Sequence, residues 1–488
     1  MSTFALAARG VQWMLVAQVL TSLGQFLYAA LTARAFPPEV FGTFAAALSL
    51  QGLITLMTTT GLPSFALKQQ SLSKSFARQI RWWALAGGAV SSLVFLAVSA
   101  PWLHLLRASG GSVFVPILAV AQGLAPIAAV ESAIMRREGR SRLDATSLLG
   151  AFITANGTAA VVIGLRGEAW SLGLATAIYP VALFVLCRLL NKAQLPVEKK
   201  VSIRELLSFS RKITLQNVVF LVLQQLPSWL ISSRAGTESL GHFSRASTLA
   251  GMPATAMSTS INRALQPHWR KLNEGSSGDR AMVDSAILAS ALAFPLFGLL
   301  VAHAPAIILL WLGPNWSKSA NLVPLLAVSY GLSIPFTVVA NSAEMRGLFK
   351  PVRFAQIAMA VGLAPGLVVL YFSGEPIWAC AAMALSQFCG IATLIIRLPW
   401  YSRRAMKSTI LGISEQIGWA LIICGLGWAA AEIARSNHLT LFANSAATHL
   451  TLGFLISAGV WLVTFRFNRA RRILKNRLPS RSPIKAMT

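Results

Sequence analysis

The sequence predicts an all-α membrane protein of about 14 transmembrane helices, and three observations support this fold class. Of the 488 residues, 55% are hydrophobic and only 12% are charged, whereas soluble proteins carry about 25% charged residues. The apolar residues occur in runs of about 20, the length that a helix needs to cross the ~30 Å hydrocarbon core of a bilayer. The basic residues alternate between rich and poor connections. These features exclude an ordinary soluble enzyme.

Fourteen apolar runs follow one another along the chain. They span 10–33, 40–63, 82–103, 113–135, 145–164, 169–188, 213–233, 240–262, 284–311, 321–343, 352–372, 376–396, 412–434 and 443–465. At about 20 residues each they take up roughly 280 residues, so the connections are too short to hold a folded domain.

The basic residues indicate the topology. The chain has 42 Lys and Arg against 15 Asp and Glu, a net charge of +27 that would suggest nucleic-acid binding in a soluble protein. Counted from the N-terminus, however, the odd-numbered connections hold 35 of these basic residues, if Arg188 and Arg353 at the ends of the adjoining runs are included, and the even-numbered ones hold 6. The positive-inside rule then places both termini and all basic loops in the cytoplasm, and nucleic acid is not an expected partner.

The connection 189–212 divides the chain into six helices and eight. A short pattern recurs in both parts: Arg34 before Phe41-Gly42, and Arg234 before Leu240-Gly241. Both copies follow a helix that starts in the cytoplasm, which predicts a parallel repeat related by a pseudo-two-fold axis along the membrane normal. The predicted domains are an N-terminal six-helix lobe (1–188), a basic cytoplasmic linker (189–212), a C-terminal six-helix lobe (213–400), helices 13 and 14 (401–466) and a basic cytoplasmic tail (467–488).

Charged residues within membrane helices are costly, so each one requires an explanation. Arg34 and Arg234 stand at the outer ends of helices 1 and 7, where they either reach the lipid headgroups or bind substrate. Arg245 lies about five residues inside helix 8 and either faces a polar cavity, reaches the headgroups or joins a structural ion pair. Glu131 in helix 4 either pairs with Arg136 or Arg137 or faces the cavity. In the cavity it would be a candidate for ion coupling.

Uncharged polar residues form a stripe on the first helix of each predicted lobe. Gln18 and Gln25 are seven residues apart on helix 1, and Asn217 and Gln224 are seven apart on helix 7, so each pair shares a helix face. These stripes predict a polar cavity, with interhelical hydrogen bonds as the alternative.

Motifs of several other function classes are missing from the sequence. It has no phosphate-binding Gly-Lys-Ser/Thr loop, no His, Asp, Glu or Cys spacing typical of a metal site, and no long outer loop that could carry catalytic residues. We therefore predict no enzymatic activity, no catalytic residues, no metal and no cofactor.

Five stretches resemble the bacterial polysaccharide flippases of the Wzx type, the polysaccharide transport family of the multidrug/oligosaccharidyl-lipid/polysaccharide exporter superfamily. The similar segments are Gly10–Trp13 at the start of helix 1, Leu31–Gly42 in the first outer loop, Glu205–Ser210 before helix 7, Gly241–Ala246 at the start of helix 8, and Ala304-Pro305 with Trp311–Trp316 at the end of helix 9. They occur in the family's order over residues 10–350.

The resemblance implies a flippase of the bacterial inner membrane. Its substrate would be an undecaprenyl-pyrophosphate-linked oligosaccharide for exopolysaccharide, capsule or O-antigen (lipopolysaccharide) synthesis, and its partners the bilayer and other polysaccharide assembly proteins. Two lobes would rock around a cationic cavity in which Arg34, Arg234 and Arg245 contact pyrophosphate or sugar.

Two alternatives to this function remain. One is a drug or peptidoglycan-precursor exporter of the same superfamily, although helix 1 lacks the acidic residue that many cation-coupled drug exporters place in a lobe. The other is a membrane enzyme of polysaccharide assembly, a polymerase or ligase, against which the short outer loops argue.

Overall fold

The computed structural model describes residues 3–59, 62–63, 66, 74–138, 140–190, 203–269, 276–399, 403–436 and 459. This part of the chain is helical, and no β-strand occurs in it. Its twelve α-helices are α1 (Thr3–Ala35), α2 (Pro38–Thr59), α3 (Lys74–Leu105), α4 (Val115–Arg137), α5 (Ser141–Arg166), α6 (Leu174–Leu190), α7 (Ile203–Trp269), α8 (Ser276–Leu312), α9 (Ser317–Met345), α10 (Phe349–Ser373), α11 (Ile377–Arg397) and α12 (Arg403–Ser436). Short 3₁₀ segments precede α4, α6 and α9 at Ser109–Phe114, Ala169–Gly173 and Pro314–Trp316.

Several helices are longer than the apolar runs that predicted them. Helix α1 begins at Thr3 instead of residue 10, α3 begins at Lys74 instead of residue 82, and α7 begins at Ile203, inside the predicted linker. Hydropathy marks the part of a helix that lies in hydrocarbon. The backbone hydrogen bonds continue past that point, because a helix can extend into the polar interface without exposing new backbone groups.

Helix α7 contains both predicted helices 7 and 8. Its helical geometry is interrupted at Gly236, where φ is 86° and ψ is 172°. A residue with a Cβ rarely adopts this conformation, so glycine is the residue suited to this break. The predicted boundary between the two helices, 234–239, therefore coincides with the break.

Eleven segments of the described chain are long and apolar enough to cross a membrane, and the protein is a multi-pass membrane protein. No part of α7 is among these eleven, so the spans predicted at 213–233 and 240–262 stay predictions. The predicted helix 14, residues 443–465, lies outside the described residues except for residue 459, and the predicted tail lies wholly outside them, so the total of 14 stays a prediction.

The chain divides into two compact units. The first comprises Met1–Ser244 with Gly374–Pro376. In it α3 packs on α4, α5 on α6 and α4 on α6, while α1 lies against α5. Its core joins apolar side chains of α3 and α4, among them Phe76, Ile80 and Ile134.

The second unit comprises Arg245–Ser373 with Ile377–Thr488. In its described part α8 packs on α9, α10 on α11, α9 on α11, and α12 on α8. Helices α8–α11 thus repeat the packing order of α3–α6, which is the pattern that a parallel repeat requires.

Glycines allow the closest helix contacts within each unit. A Cβ added to Gly88 of α3 would lie 2.0 Å from the carbonyl oxygen of Gly123 on α4, and one added to Gly298 of α8 would lie 2.8 Å from the carbonyl oxygen of Ala420 on α12. Membrane helices associate largely through such small-residue contacts, because lipid is as apolar as their side chains.

The predicted orientation can be tested with topology reporters. We expect alkaline phosphatase fused after Arg469 to be inactive and a green fluorescent protein at the same site to fluoresce, because the charge pattern places the tail in the cytoplasm. A sandwich fusion at Gly313, in a predicted outer loop, is the matched control and should show phosphatase activity. Phosphatase activity at the tail would contradict the predicted number of helices.

Candidate functional site

Arg34 lies in the last turn of α1 and is exposed. It follows Leu27 by seven residues and Leu23 by eleven, and both leucines are exposed apolar residues on the same helix face. This position favours contact with headgroups at the membrane surface.

The amide stripe of α1 lies on the opposite side of the helix. Gln18 is half-buried and Gln25 is exposed, and their spacing from Leu20 and Leu27 places them away from the apolar face. Helix α1 therefore has an open apolar face and an amide face that is partly open at Gln18 and Gln25 but closed one turn further on at Ala29, which is 3% exposed. A partly open amide face is compatible with a polar cavity.

On α7, Arg234 and Gln224 are exposed in the first unit. Arg234 comes two residues before the break at Gly236. Asn217 belongs to the same helix, but its side chain is not among the described ones.

The two copies of the recurring pattern meet in the first unit. A Cβ on Gly42 would lie 1.7 Å from the carbonyl oxygen of Thr237, and a Cβ on Gly241 would lie 1.9 Å from the carbonyl oxygen of Pro38. We call this contact between residues 38–42 and 237–241 the glycine crossing. It brings together the chain segments that follow Arg34 and Arg234.

The end of α3 supports the first half of α7 next to this crossing. The Ser232 hydroxyl donates to the Leu106 carbonyl over 2.8 Å, and the rings of Trp102 and Trp229 are in edge-to-face contact with centroids 5.0 Å apart. The Trp102 indole N–H donates to the Ala46 carbonyl of α2 over 3.3 Å.

Arg245 belongs to the second unit, nine residues beyond Gly236. Its side chain is half-buried and its Nε atom is fully buried. Ser247 and Thr248 beside it are half-buried as well. One turn further on, Gly251 lets α7 approach the Tyr330 ring of α9, since an added Cβ would lie 3.2 Å from it. The cavity-facing role of Arg245 stays a prediction.

Glu131 has a different partner from the one expected. The pairing with Arg136 or Arg137 is wrong, because Arg81 of α3 holds both carboxylate oxygens: Nε donates to Oε1 over 2.6 Å and Nη2 donates to Oε2 over 3.0 Å. Glu131 is 1% exposed and Arg81 is 25% exposed. This two-point ion pair ties α3 to α4 in the half of the helices expected to face the cytoplasm.

Sequence reasoning missed a second buried carboxylate in the first unit. Asp144 of α5 accepts a 2.6 Å hydrogen bond from Ser132 of α4, and Arg136 lies 3.6 Å away from it. Arg136, which was expected to pair with Glu131, therefore pairs with Asp144. Asp144 lies just before apolar run 145–164, in a predicted connection, so its position did not indicate a charge within a membrane helix.

The second unit has an ion pair between the corresponding helices, also missed. Arg346, at the end of α9, donates to Asp279 of α8 over 3.1 Å, and both side chains are at most 10% exposed. The charges are reversed relative to the first unit, where the cation lies on α3 and the carboxylate on α4. Each of these carboxylates has an arginine close by in the sequence, Arg142 for Asp144 and Arg280 for Asp279, so sequence spacing did not indicate the actual partners.

The chain is similar to known proteins in both sequence and fold. The family described as "Polysaccharide biosynthesis protein" matches residues 31–321. The succinoglycan biosynthesis transport protein ExoT of Rhizobium meliloti (strain 1021) is 25% identical over 393 residues, which are 78% of each chain.

Among solved structures, the lipid II flippase MurJ in an inward closed conformation aligns with a TM-score of 0.73 at 13% identity, covering 94% of this chain and 99% of its own. An inward-facing multidrug resistance MATE family transporter of the MOP superfamily aligns with a TM-score of 0.53 at 14% identity, covering 83% and 95%. At these identities the likeness shows a common fold. The family match spans well over half of the chain, so this multi-pass membrane protein, which has the fold of MurJ and the MATE transporters, belongs to the polysaccharide biosynthesis protein family.

Proposed function

We propose that the protein is a transporter, not an enzyme, and that it flips undecaprenyl-pyrophosphate-linked oligosaccharides across the bacterial inner membrane by alternating access. The observation that carries this proposal is that the middle of α1 has an exposed apolar face and, opposite it, a partly open amide face. Leu23 and Leu27 occupy the apolar face, and Gln18 and Gln25 occupy the opposite one. Family membership supports the polysaccharide pathway, and the related protein ExoT is named as a succinoglycan transport protein.

The chemistry of this substrate suits the residues present. Sugar hydroxyls need hydrogen-bonding partners away from water, and the amides of Gln18 and Gln25 can both donate and accept. A pyrophosphate needs cations, and guanidinium groups bind phosphate oxygens with two parallel hydrogen bonds. The prenyl chain stays in lipid, where the apolar face of α1 is complementary to it.

We assign the substrate contacts to two sets of residues. Arg245 and Arg234 contact the pyrophosphate, and Arg34 contacts the polar headgroup of the substrate at the membrane surface. The amides contact the sugars, with Asn217 and Gln224 on α7 as the counterparts of Gln18 and Gln25. Other polysaccharide assembly proteins would receive the flipped substrate.

A second candidate function is export of a peptidoglycan precursor, which the name of MurJ suggests through the shared fold. Lipid II carries the same polyprenyl pyrophosphate, so the polar contacts would be similar. Drug export is disfavoured because no acidic residue occurs in α1. The family match favours the polysaccharide precursor over both.

Reconstitution distinguishes these substrates. The purified protein in vesicles should move a fluorescent undecaprenyl-pyrophosphate oligosaccharide across the bilayer at a rate above that of protein-free vesicles, measured as protection from an impermeant quencher. Lipid II and a cationic dye are the comparison substrates. Movement of lipid II alone, or of the dye alone, would contradict the proposed substrate.

A further inference from the structure

We infer that the glycine crossing, residues 38–42 against 237–241, is the gate that closes the outer end of the transport path. This inference rests on the proposed alternating access and adds the residues that form the gate. All of the contacts that support it lie within the first unit.

The crossing is reciprocal. Gly42 contacts Thr237 and Gly241 contacts Pro38, while the position of an added Cβ on Gly241 is also 3.3 Å from the backbone nitrogen of Gly42. Thr237 follows Pro38 by 199 residues, and Gly241 follows Gly42 by the same 199. In each contact, the glycine of one motif copy therefore meets the residue that lies four positions before the glycine of the other copy.

Equivalent positions of a two-fold repeat can touch only near the axis that relates them. In a transporter built from parallel repeats, this axis runs along the membrane normal and between the repeats, where the substrate headgroup passes. Backbone contact between Gly42 and Gly241 leaves no room for a sugar at this level. The charge pattern places both motif copies at the outer end.

The neighbouring contacts are of a kind that can separate and re-form. They comprise the hydrogen bond from Ser232 to Leu106 and the edge-to-face contact of Trp102 with Trp229. They contrast with the Arg81–Glu131 pair, which holds α3 to α4 by two charge-assisted bonds. Arg34 and Arg234 precede the two glycines by eight and seven residues.

The test inserts a methyl group into the crossing. Because the added Cβ of Gly42→Ala or Gly241→Ala would meet backbone, the two segments must move apart and the gate should stay open. The reporter is Ala29→Cys in a variant without the four native cysteines. Ala29 is 3% exposed and lies on the Gln25 face of α1, one turn nearer the crossing.

We call Gly42→Ala and Gly241→Ala the wedge variants. In intact cells, each should raise the rate at which an impermeant maleimide labels the cysteine at position 29 by at least about fivefold, because the population shifts toward the open state. Gly87→Ala is the neutral control, since nothing lies within 4 Å of its added Cβ. Gly88→Ala is the control for general loosening, since its Cβ would meet Gly123 within one helix pair. Folding is followed by size-exclusion chromatography and thermal aggregation. Should a wedge variant fail to fold, Ser232→Ala, which removes only the hydrogen bond to Leu106, replaces it and should raise labelling by a smaller factor.

The assignment of the crossing as the outer gate would be overturned by an unchanged labelling rate in a folded wedge variant. An equally large rise in the labelling rate of Gly88→Ala would overturn it as well. Labelling needs no substrate, so this outcome is separate from the proposed function. If the wedge variants open while the wild type moves no lipid-linked oligosaccharide, the gate stands and the proposed substrate fails.

Discussion

Arg245→Ala is expected to reduce polymer export by about 10- to 100-fold, because a lost charge-assisted hydrogen bond costs about 1.5–3 kcal/mol. The guanidinium is half-buried in α7 with its Nε atom away from solvent, beside the polar residues Ser247 and Thr248. Export is measured as secreted polymer in a strain that depends on the plasmid-borne gene. Protein level and membrane insertion should equal those of the wild type.

Two variants separate substrate binding from a general charge effect. Arg245→Lys should restore export only in part, since an ammonium group cannot make the two parallel bonds of a guanidinium. Arg353→Ala, which removes an exposed arginine of α10, should export normally. Normal export by Arg245→Ala would remove this residue from the site, and a fall in its protein level would indicate a structural ion pair instead.

Glu131→Gln is expected to destabilise the protein by about 3–5 kcal/mol, the cost of leaving one member of a buried ion pair without its partner. Arg81 would keep its charge between α3 and α4 with the opposing charge removed. The measurement is thermal unfolding in detergent, with Arg78→Gln as the control. Arg78 is exposed on the same helix, so its loss should change stability by less than about 1 kcal/mol.

The charge swap Arg81→Glu with Glu131→Arg tests whether Glu131 also takes part in ion coupling. In the second unit, Asp279 and Arg346 pair the corresponding helices with the opposite polarity. We expect the swap to recover much of the lost stability. Recovered transport would assign Glu131 to structure, whereas stable protein without transport would support ion coupling.

The sequence alone predicted an all-helical membrane protein and the eleven membrane-crossing segments that the described residues contain, and it predicted their orientation. Apolar length and loop charge are local properties, and a helix satisfies its backbone hydrogen bonds within one segment. The break at Gly236 was predictable for the same reason, because it lies between two apolar runs. The family resemblance, carried by short local motifs, agreed with the family match.

The tertiary structure decided which helices share their buried charges and where the two motif copies lie. Glu131 bonds to a residue 50 positions away, and Asp279 to one 67 positions away. The spacing of charges on one helix therefore favoured the nearer Arg136. The repeated glycine pattern was visible in the sequence, but its meaning was not. Contact between Gly42 and Gly241 depends on the path of the backbone, because glycine has no side chain by which a pattern could indicate its partner.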